Sequence, residues 1–170
     1  MRKALYILGD LAEEDIVFLS KAGQLRDLAP GEACIRAGEE VTALSFLTSG
    51  AMEVVVPRGP VVAQLAVGDV VGEMSFVERR LPDTDVVATE PTRLLQVPRA
   101  AIDAALARDT GFAARFYRAM AAFLSDRLRS LTARQGGSRS EELDDHLLDV
   151  VHVAGDRFNR LIAMMEGRQR

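Results

Sequence analysis

Between Gly72 and Ala88 the chain reads GEMSFVERRLPDTDVVA, a stretch that concentrates residue types able to hold an anion. A Gly-Asp turn, Gly68 and Asp69, leads into it, and Gly72 and Glu73 open a short helix whose first backbone N–H groups, those of Met74 and Ser75, point ahead of the chain. A helix start offers unpaired donors and the positive end of the peptide dipoles to a negative group. Gly72 stands where the backbone must come close to a ligand or a neighbouring strand, which suits a residue without Cβ. Farther on, Pro82, Asp83, Thr84 and Asp85 bring carboxylates to a place where an anion site calls for a cation. Arg79 and Arg80 lie just before them, able to fold back toward an anion or to pair with Asp83 or Asp85.

No other reactive constellation can be assembled. His146 and His152 are the two histidines of the chain, and they fall on different faces of one helix, so neither a metal cluster nor a Ser/His/Asp arrangement is available. Phosphate-loop spacing is absent, and no catalytic or metal-binding residue is assigned. The single cysteine, Cys34, has no internal disulfide partner and reads as a small core residue on a strand. A reducing cytoplasm is the expected location, since Arg2 and Lys3 are followed by too short an apolar stretch before Asp10 for a secretory signal. No run has the length of a membrane span. A net charge of −4 argues against a broad nucleic-acid surface.

The elements that position these residues follow from periodicity. With 48% hydrophobic residues, only 5% aromatic and no Trp, the core must be aliphatic. Residues 1–23 read as a helical lead-in, with Leu5, Leu8, Leu11, Ile16 and Leu19 at helical spacing around an acidic Asp10–Asp15 turn region. Over 24–98 the texture changes to short alternating runs (Leu44/Phe46, Met52/Val54/Val56, Val61/Ala63/Leu65, Val86/Ala88, Leu95/Val97) separated by Pro and Gly turns. That spacing predicts a β-sandwich, jelly roll or barrel. Residues 99–135 return to helical period, with a short helix around Ile102 and Leu106 and a long one from Thr110 to about Ala133. After a Gly136–Gly137 break, Ser138 and Glu141 form a capping-box pattern that starts a final amphipathic helix over 138–167.

The long helix carries a wide apolar stripe: Phe112, Phe116, Ala119, Phe123, Leu128 and Leu131. One edge can cover the β-region and the other is expected to pair with a second copy of the chain, burying Phe116 and Phe123 in a homodimer. The final helix, with Leu147, Ala154, Phe158 and Leu161, either joins that interface, packs within its own chain, or docks a protein partner.

Several motifs occur together. Pro30, Gly31 and Glu32 make a turn; Ile35 to Glu39 spell I-x-x-G-E; Leu47 to Glu53 spell L-x-S-G-x-x-E; Gly68, Asp69, Gly72 and Glu73 spell G-D-x-x-G-E. In this order, over about residues 28–97, they resemble the cyclic nucleotide-binding domain family, the β-roll sensor module of bacterial catabolite activator proteins and protein kinase A regulatory subunits. The resemblance implies that Glu73 accepts from a ribose 2′-hydroxyl and that the amides of Met74 and Ser75 hold a cyclic phosphate. The Arg that pairs with the phosphate in that family has Asp83, followed by Thr84, as its counterpart here. Gly72, Glu73, Met74, Ser75, Asp83 and Thr84 are therefore the candidate ligand site.

Losing a charge-assisted Arg–phosphate contact removes about 1.5–3 kcal/mol, and a carboxylate ~5 Å from the phosphate at a dielectric of ~20 adds roughly 3 kcal/mol of repulsion. The sum weakens binding by roughly three to four powers of ten. The expected protein is thus an α+β chain, a double-stranded β-helix of the jelly-roll or β-roll kind with an N-terminal helix and two long C-terminal helices. It is a non-enzymatic regulatory sensor, homodimeric, with a degenerate or altered nucleotide pocket. Two other readings stay open: a genuine cyclic AMP or cyclic GMP sensor relying on Glu73 and the helix amides, and an interaction scaffold whose pocket is vestigial. Family transcription factors carry a helix-turn-helix after the long helix; one helix follows here, so DNA is not an expected partner, nor is a membrane.

Overall fold

Strands of two to seven residues cannot bury an apolar face alone, so the turn-punctuated middle of the chain has to stack sheet on sheet. The computed structural model describes residues 3–78, 80–136 and 145–167. Helices α1 (Lys3–Asp10) and α2 (Glu13–Ala22) lead into strands β1 (Gln24–Leu28), β2 (Ala33–Ile35), β3 (Ala43–Ser49), β4 (Met52–Val55), β5 (Val61–Leu65) and β6 (Val70–Val71). A short helix α3 (Met74–Val77) precedes β7 (Asp85–Ala88) and β8 (Thr92–Pro98), and helices α4 (Arg99–Arg108), α5 (Thr110–Gly136) and α6 (Asp145–Glu166) follow. The strands form two four-stranded antiparallel sheets, one ordered β1-β8-β3-β6 and the other β2-β7-β4-β5. The chain is thus a β-roll with flanking helices.

The first sheet is apolar on both faces. In β8, Leu94 packs between the sheets with Leu28, Leu47, Met52, Val54 and Val86, whereas Leu95 and Val97 turn the other way into a core shared with the helices. The alternation of side chains along a strand produces this division. Val70 and Val71 repeat it in β6, one residue entering each core. On the helical side Ile7, Leu8, Ile16 and Leu19 from α1 and α2 meet Phe112, Phe116 and Phe123 from α5 and Phe158, Leu161 and Met165 from α6.

This arrangement corrects the expected homodimer face. Phe112, Phe116, Ala119 and Phe123 are all buried within the single chain, Phe116 with 1% of its surface exposed, because α1 and α4 pack on α5 and the rings of Phe18 of α2 and Phe76 of α3 meet the stripe. Only Leu128, 64% exposed, lies outside that packing, and the side chain of Leu131 falls outside the described residues. The described part of α6 likewise packs in its own chain, with Ala154 and Leu161 fully buried against α1 and α2. The Ser138–Glu141 capping box lies outside the described residues, as does the side chain of Leu147. Among the described residues no helix is long and apolar enough to cross a membrane.

The acidic turn region also takes a different form from a single lead-in helix: α1 ends at Asp10 and α2 begins at Glu13. Arginines of the two long helices grip this corner. Arg115 of α5 donates through Nε and Nη2 to the two carboxylate oxygens of Asp15 at 2.7 and 2.9 Å, and Asp15 also accepts from the Ala12 N–H at 2.7 Å. The hydrogen bonding of Arg115 to the Asp15 carboxylate raises the Arg115 pKa above its ordinary value. Arg118 reaches Asp10 at 2.7 Å, Arg160 of α6 reaches Glu13 at 2.6 Å, and Arg157 donates to the Leu8 and Gly9 carbonyls that end α1.

Burial decides which of these contacts matters to stability. Asp15 is 3% exposed and holds two partners, so Asp15→Ala strands a guanidinium and a backbone donor, at a cost on the order of 3 kcal/mol. Arg118→Ala removes a pair whose cation is 70% exposed, and under about 1 kcal/mol should be lost. Urea unfolding of the two variants checks this; equal losses would show that burial is not what ranks the corner's ion pairs.

Candidate ligand site

The G-D-x-x-G-E run folds as the sequence demands. Asp69 accepts from the Ala66 N–H at 2.9 Å, closing the turn before β6, and Gly72 then adopts φ +91°, the left-handed region that glycine tolerates best. Space forbids a side chain as well: a Cβ at this position would lie 2.5 Å from the Ala43 carbonyl oxygen and 3.0 Å from Val41 Cγ1. Gly72 therefore lets the chain cross β3 and turn at once into α3. Ser75 Oγ donates to the Gly72 carbonyl at 2.7 Å, and the Phe76 N–H to the Glu73 carbonyl at 3.1 Å, which tightens that first turn.

A cavity of about 280 Å³ opens beside this turn. Its floor is aliphatic, from Ile35, Val41, Val54, Leu65, Val71 and Val86, and Gly72, Glu73, Met74 and Ser75 form one wall. Glu73 is 3% exposed. Asp83 and Thr84 also line it, together with Arg80, Leu81 and Pro82. The six candidate residues are thus gathered around one cavity from two separate segments.

Asp83 does not stand there as an isolated charge. Its Oδ2 accepts from Arg80 Nη2 at 2.7 Å, both side chains being largely exposed. Asp85 turns away from this pair and accepts from the Ala37 N–H at 2.7 Å. Together with the Gly38 N–H, which donates to the Pro82 carbonyl at 2.8 Å, this contact pins the 82–85 segment to the β2–β3 turn. Sequence reasoning could pair Arg79 or Arg80 with either acid but could not choose; Arg79 lies outside the described residues. The folded chain pairs Arg80 with Asp83 and gives Asp85 the Ala37 N–H instead.

A route from the cavity to the helices runs through aromatic rings. Phe76 of α3 meets Phe116 of α5 edge-on, with centroids 5.6 Å apart; Phe116 touches Phe112 at 5.7 Å, and Phe112 touches Phe18 of α2 at 5.5 Å. The Arg99 guanidinium of α4 lies 5.0 Å from the Phe76 ring centre. The sequence signal for this route was the stripe of phenylalanines on α5, whose partner is α3 and α2 of the same chain. Elsewhere, burial pushes the Cys34 thiol up to about 11, which keeps it protonated beside the sandwich core. No group of three or more His, Cys, Asp or Glu suited to a metal ion occurs among the described residues.

Comparison with known proteins agrees with this geometry. The chain is 31% identical over 118 residues to the Pycsar effector protein XpPycTIR of Xanthomonas perforans, an alignment spanning 69% of this chain but 39% of that protein's length. A cyclic nucleotide-binding domain from Methylobacillus flagellatus superposes with a TM-score of 0.69 at 19% identity, covering 83% of this chain and 85% of the other. The Thermus thermophilus catabolite activator protein superposes with a TM-score of 0.62 at 21% identity, covering 96% and 88%. At these identities the two superpositions speak for the fold. Residues 25–109, from the first strand to the end of α4, match the family description "Cyclic nucleotide-binding domain", and the chain belongs to that family.

Proposed function

We propose that this chain is a non-enzymatic regulatory module that senses a small nucleotide in the cavity beside Glu73 and passes the response to its helical layer. The observation that carries the reading is a buried carboxylate, Glu73, set into the wall of an otherwise aliphatic cavity. An apolar floor with a few fixed polar groups is the usual make-up of a small-molecule site. The floor takes a base and sugar; Glu73 accepts from a sugar hydroxyl. Occupying the cavity presses on α3, and Phe76 carries that displacement to Phe116 and the core of α5. The likeness to a named effector protein supports a regulatory role, with this chain's counterpart forming one part of the larger protein.

The pocket differs from a standard cyclic nucleotide site at Asp83. Because Arg80 already pairs with that carboxylate at the surface, most of the repulsion anticipated from sequence is screened. What remains is that position 83 carries no guanidinium of its own, a contact of about 1.5–3 kcal/mol, so cyclic AMP and cyclic GMP should bind weakly but measurably. Titration calorimetry should show Asp83→Arg tightening binding by about 10- to 100-fold. An unchanged affinity would defeat the altered-pocket reading. Micromolar binding by the unchanged chain would favour a conventional cyclic AMP or cyclic GMP sensor instead.

Self-association is a second part of the reading, supported by the length of α5. At 27 residues it spans about 40 Å, and its buried phenylalanines are confined to the half between Phe112 and Phe123. The far half, carrying Leu128, is the part proposed to meet a second copy. Light scattering should give a dimer mass for the chain and a monomer mass for Leu128→Glu; a monomer mass for both ends this reading.

A further inference from the structure

Among the described residues lining the cavity, the ionisable ones are Glu73, Glu78 and Asp83 on the acidic side and Arg80 on the basic side. A 3′,5′-cyclic mononucleotide brings one negative charge, its phosphodiester, into this predominantly acidic setting. A bound anion is stabilised where it meets a cation and destabilised beside each carboxylate, so its phosphate end is driven to Arg80.

The surroundings of Arg80 suit that role. The segment just after it is pinned at Pro82 and Asp85 by hydrogen bonds from Gly38 and Ala37, which fixes Asp83 at the cavity rim. Asp83 in turn holds Arg80 through a single contact from Nη2, so the remaining N–H donors of the guanidinium fork can serve a second acceptor. The pair is 69% and 75% exposed, and an ion pair in water adds little stability, so sharing or breaking it costs little. A guanidinium meets phosphate oxygens in a planar, directed fashion that an ammonium does not reproduce.

We propose that Arg80 is the phosphate-binding cation of this cavity, supplied from a position before the Pro82–Asp85 segment, with Asp83 as its resting partner. The inference rests on the cavity being the ligand site, as proposed above.

The test is calorimetric titration of the four 3′,5′-cyclic mononucleotides into the full chain and into Arg80→Ala, Arg80→Lys and Glu73→Gln. For whichever nucleotide binds the unchanged chain, Arg80→Ala should weaken binding about tenfold and flatten its dependence on sodium chloride, since the lost contact is ionic. Arg80→Lys should recover part of the loss. A merely structural role for Arg80 would not give the salt effect, and thermal unfolding of each variant checks that the exposed substitution leaves the fold intact. If Glu73→Gln weakens binding while Arg80→Ala binds as the unchanged chain does, the cavity reading stands and the Arg80 assignment is overturned. If no nucleotide binds, or if Glu73→Gln changes nothing, the cavity reading itself falls and takes this one with it.

Discussion

The structure depends on one constraint: the β1-β8-β3-β6 sheet is apolar on both faces and must be covered on both. An antiparallel sheet of a small domain can leave one face in water, but Leu44, Phe46, Leu95 and Val97 preclude that here. The second sheet covers one face, and the helices have to cover the other. Packing of α1, α2, α4, α5 and α6 is therefore a condition of the sandwich's stability, not an appendage to it. The cavity beside Gly72 lies where the two cores meet, because Val70 and Val71, adjacent in β6, belong to different cores and both line it. Phe76, next to the Gly72–Glu73 turn, belongs to the helical core. A ligand bound there, as proposed, would touch residues whose packing is shared with α5, and no separate relay would have to be built.

Electrostatics then fix the way the helices close. The corner between α1 and α2 carries Asp10, Glu13, Glu14 and Asp15, and Arg115, Arg118, Arg157 and Arg160 converge on it from α5 and α6. Most of these contacts are partly exposed and add direction more than energy. Asp15 is the exception, since its burial makes the loss of a partner costly. The same ranking applies to the sandwich. Arg93 grips Asp27 across the β8–β1 pair at 2.6 and 3.1 Å and holds the Asp27 carboxyl below its usual range, but both side chains are exposed at the surface. Apolar burial, not this pair, holds those strands together.

Much of this was legible in the sequence. The alternating runs at Leu44/Phe46, Met52/Val54/Val56, Val61/Ala63/Leu65, Val86/Ala88 and Leu95/Val97 fall on strands except at Val56, one residue past the end of β4, because period-two alternation reports a face directly. The pocket wall from Gly72 to Ser75 was legible for a different reason: left-handed backbone and a crossing without room for a Cβ leave little choice but glycine. The cover over the phenylalanine stripe was not legible. A stripe on α5 states that something buries Phe116 and Phe123, without stating whether that partner is a second copy or another part of the same chain. The information lay in pairings distant in sequence, the arginines at i and i+3 on α5 and on α6 set against an acidic corner a hundred or more residues earlier. Charges so far apart can be matched only once the topology is known.

The acidic residues at 83 and 85 show the same limit at the site itself. Counted along the sequence, they make the cavity rim doubly negative and hostile to a phosphate. In the folded chain the two part company: Asp85, the first residue of β7, accepts from the Ala37 N–H, whereas Asp83, ahead of the strand, lines the cavity and is already engaged by Arg80. The net field at the rim is set by this geometry, and the Arg80 guanidinium lies against the carboxylate that the family resemblance sets in the place of one. A carboxylate in the place of a phosphate-binding cation can therefore be compatible with an anion site, provided that the chain brings a cation to it from elsewhere. Here the same turn that fixes Asp83 also places Arg80 at the cavity.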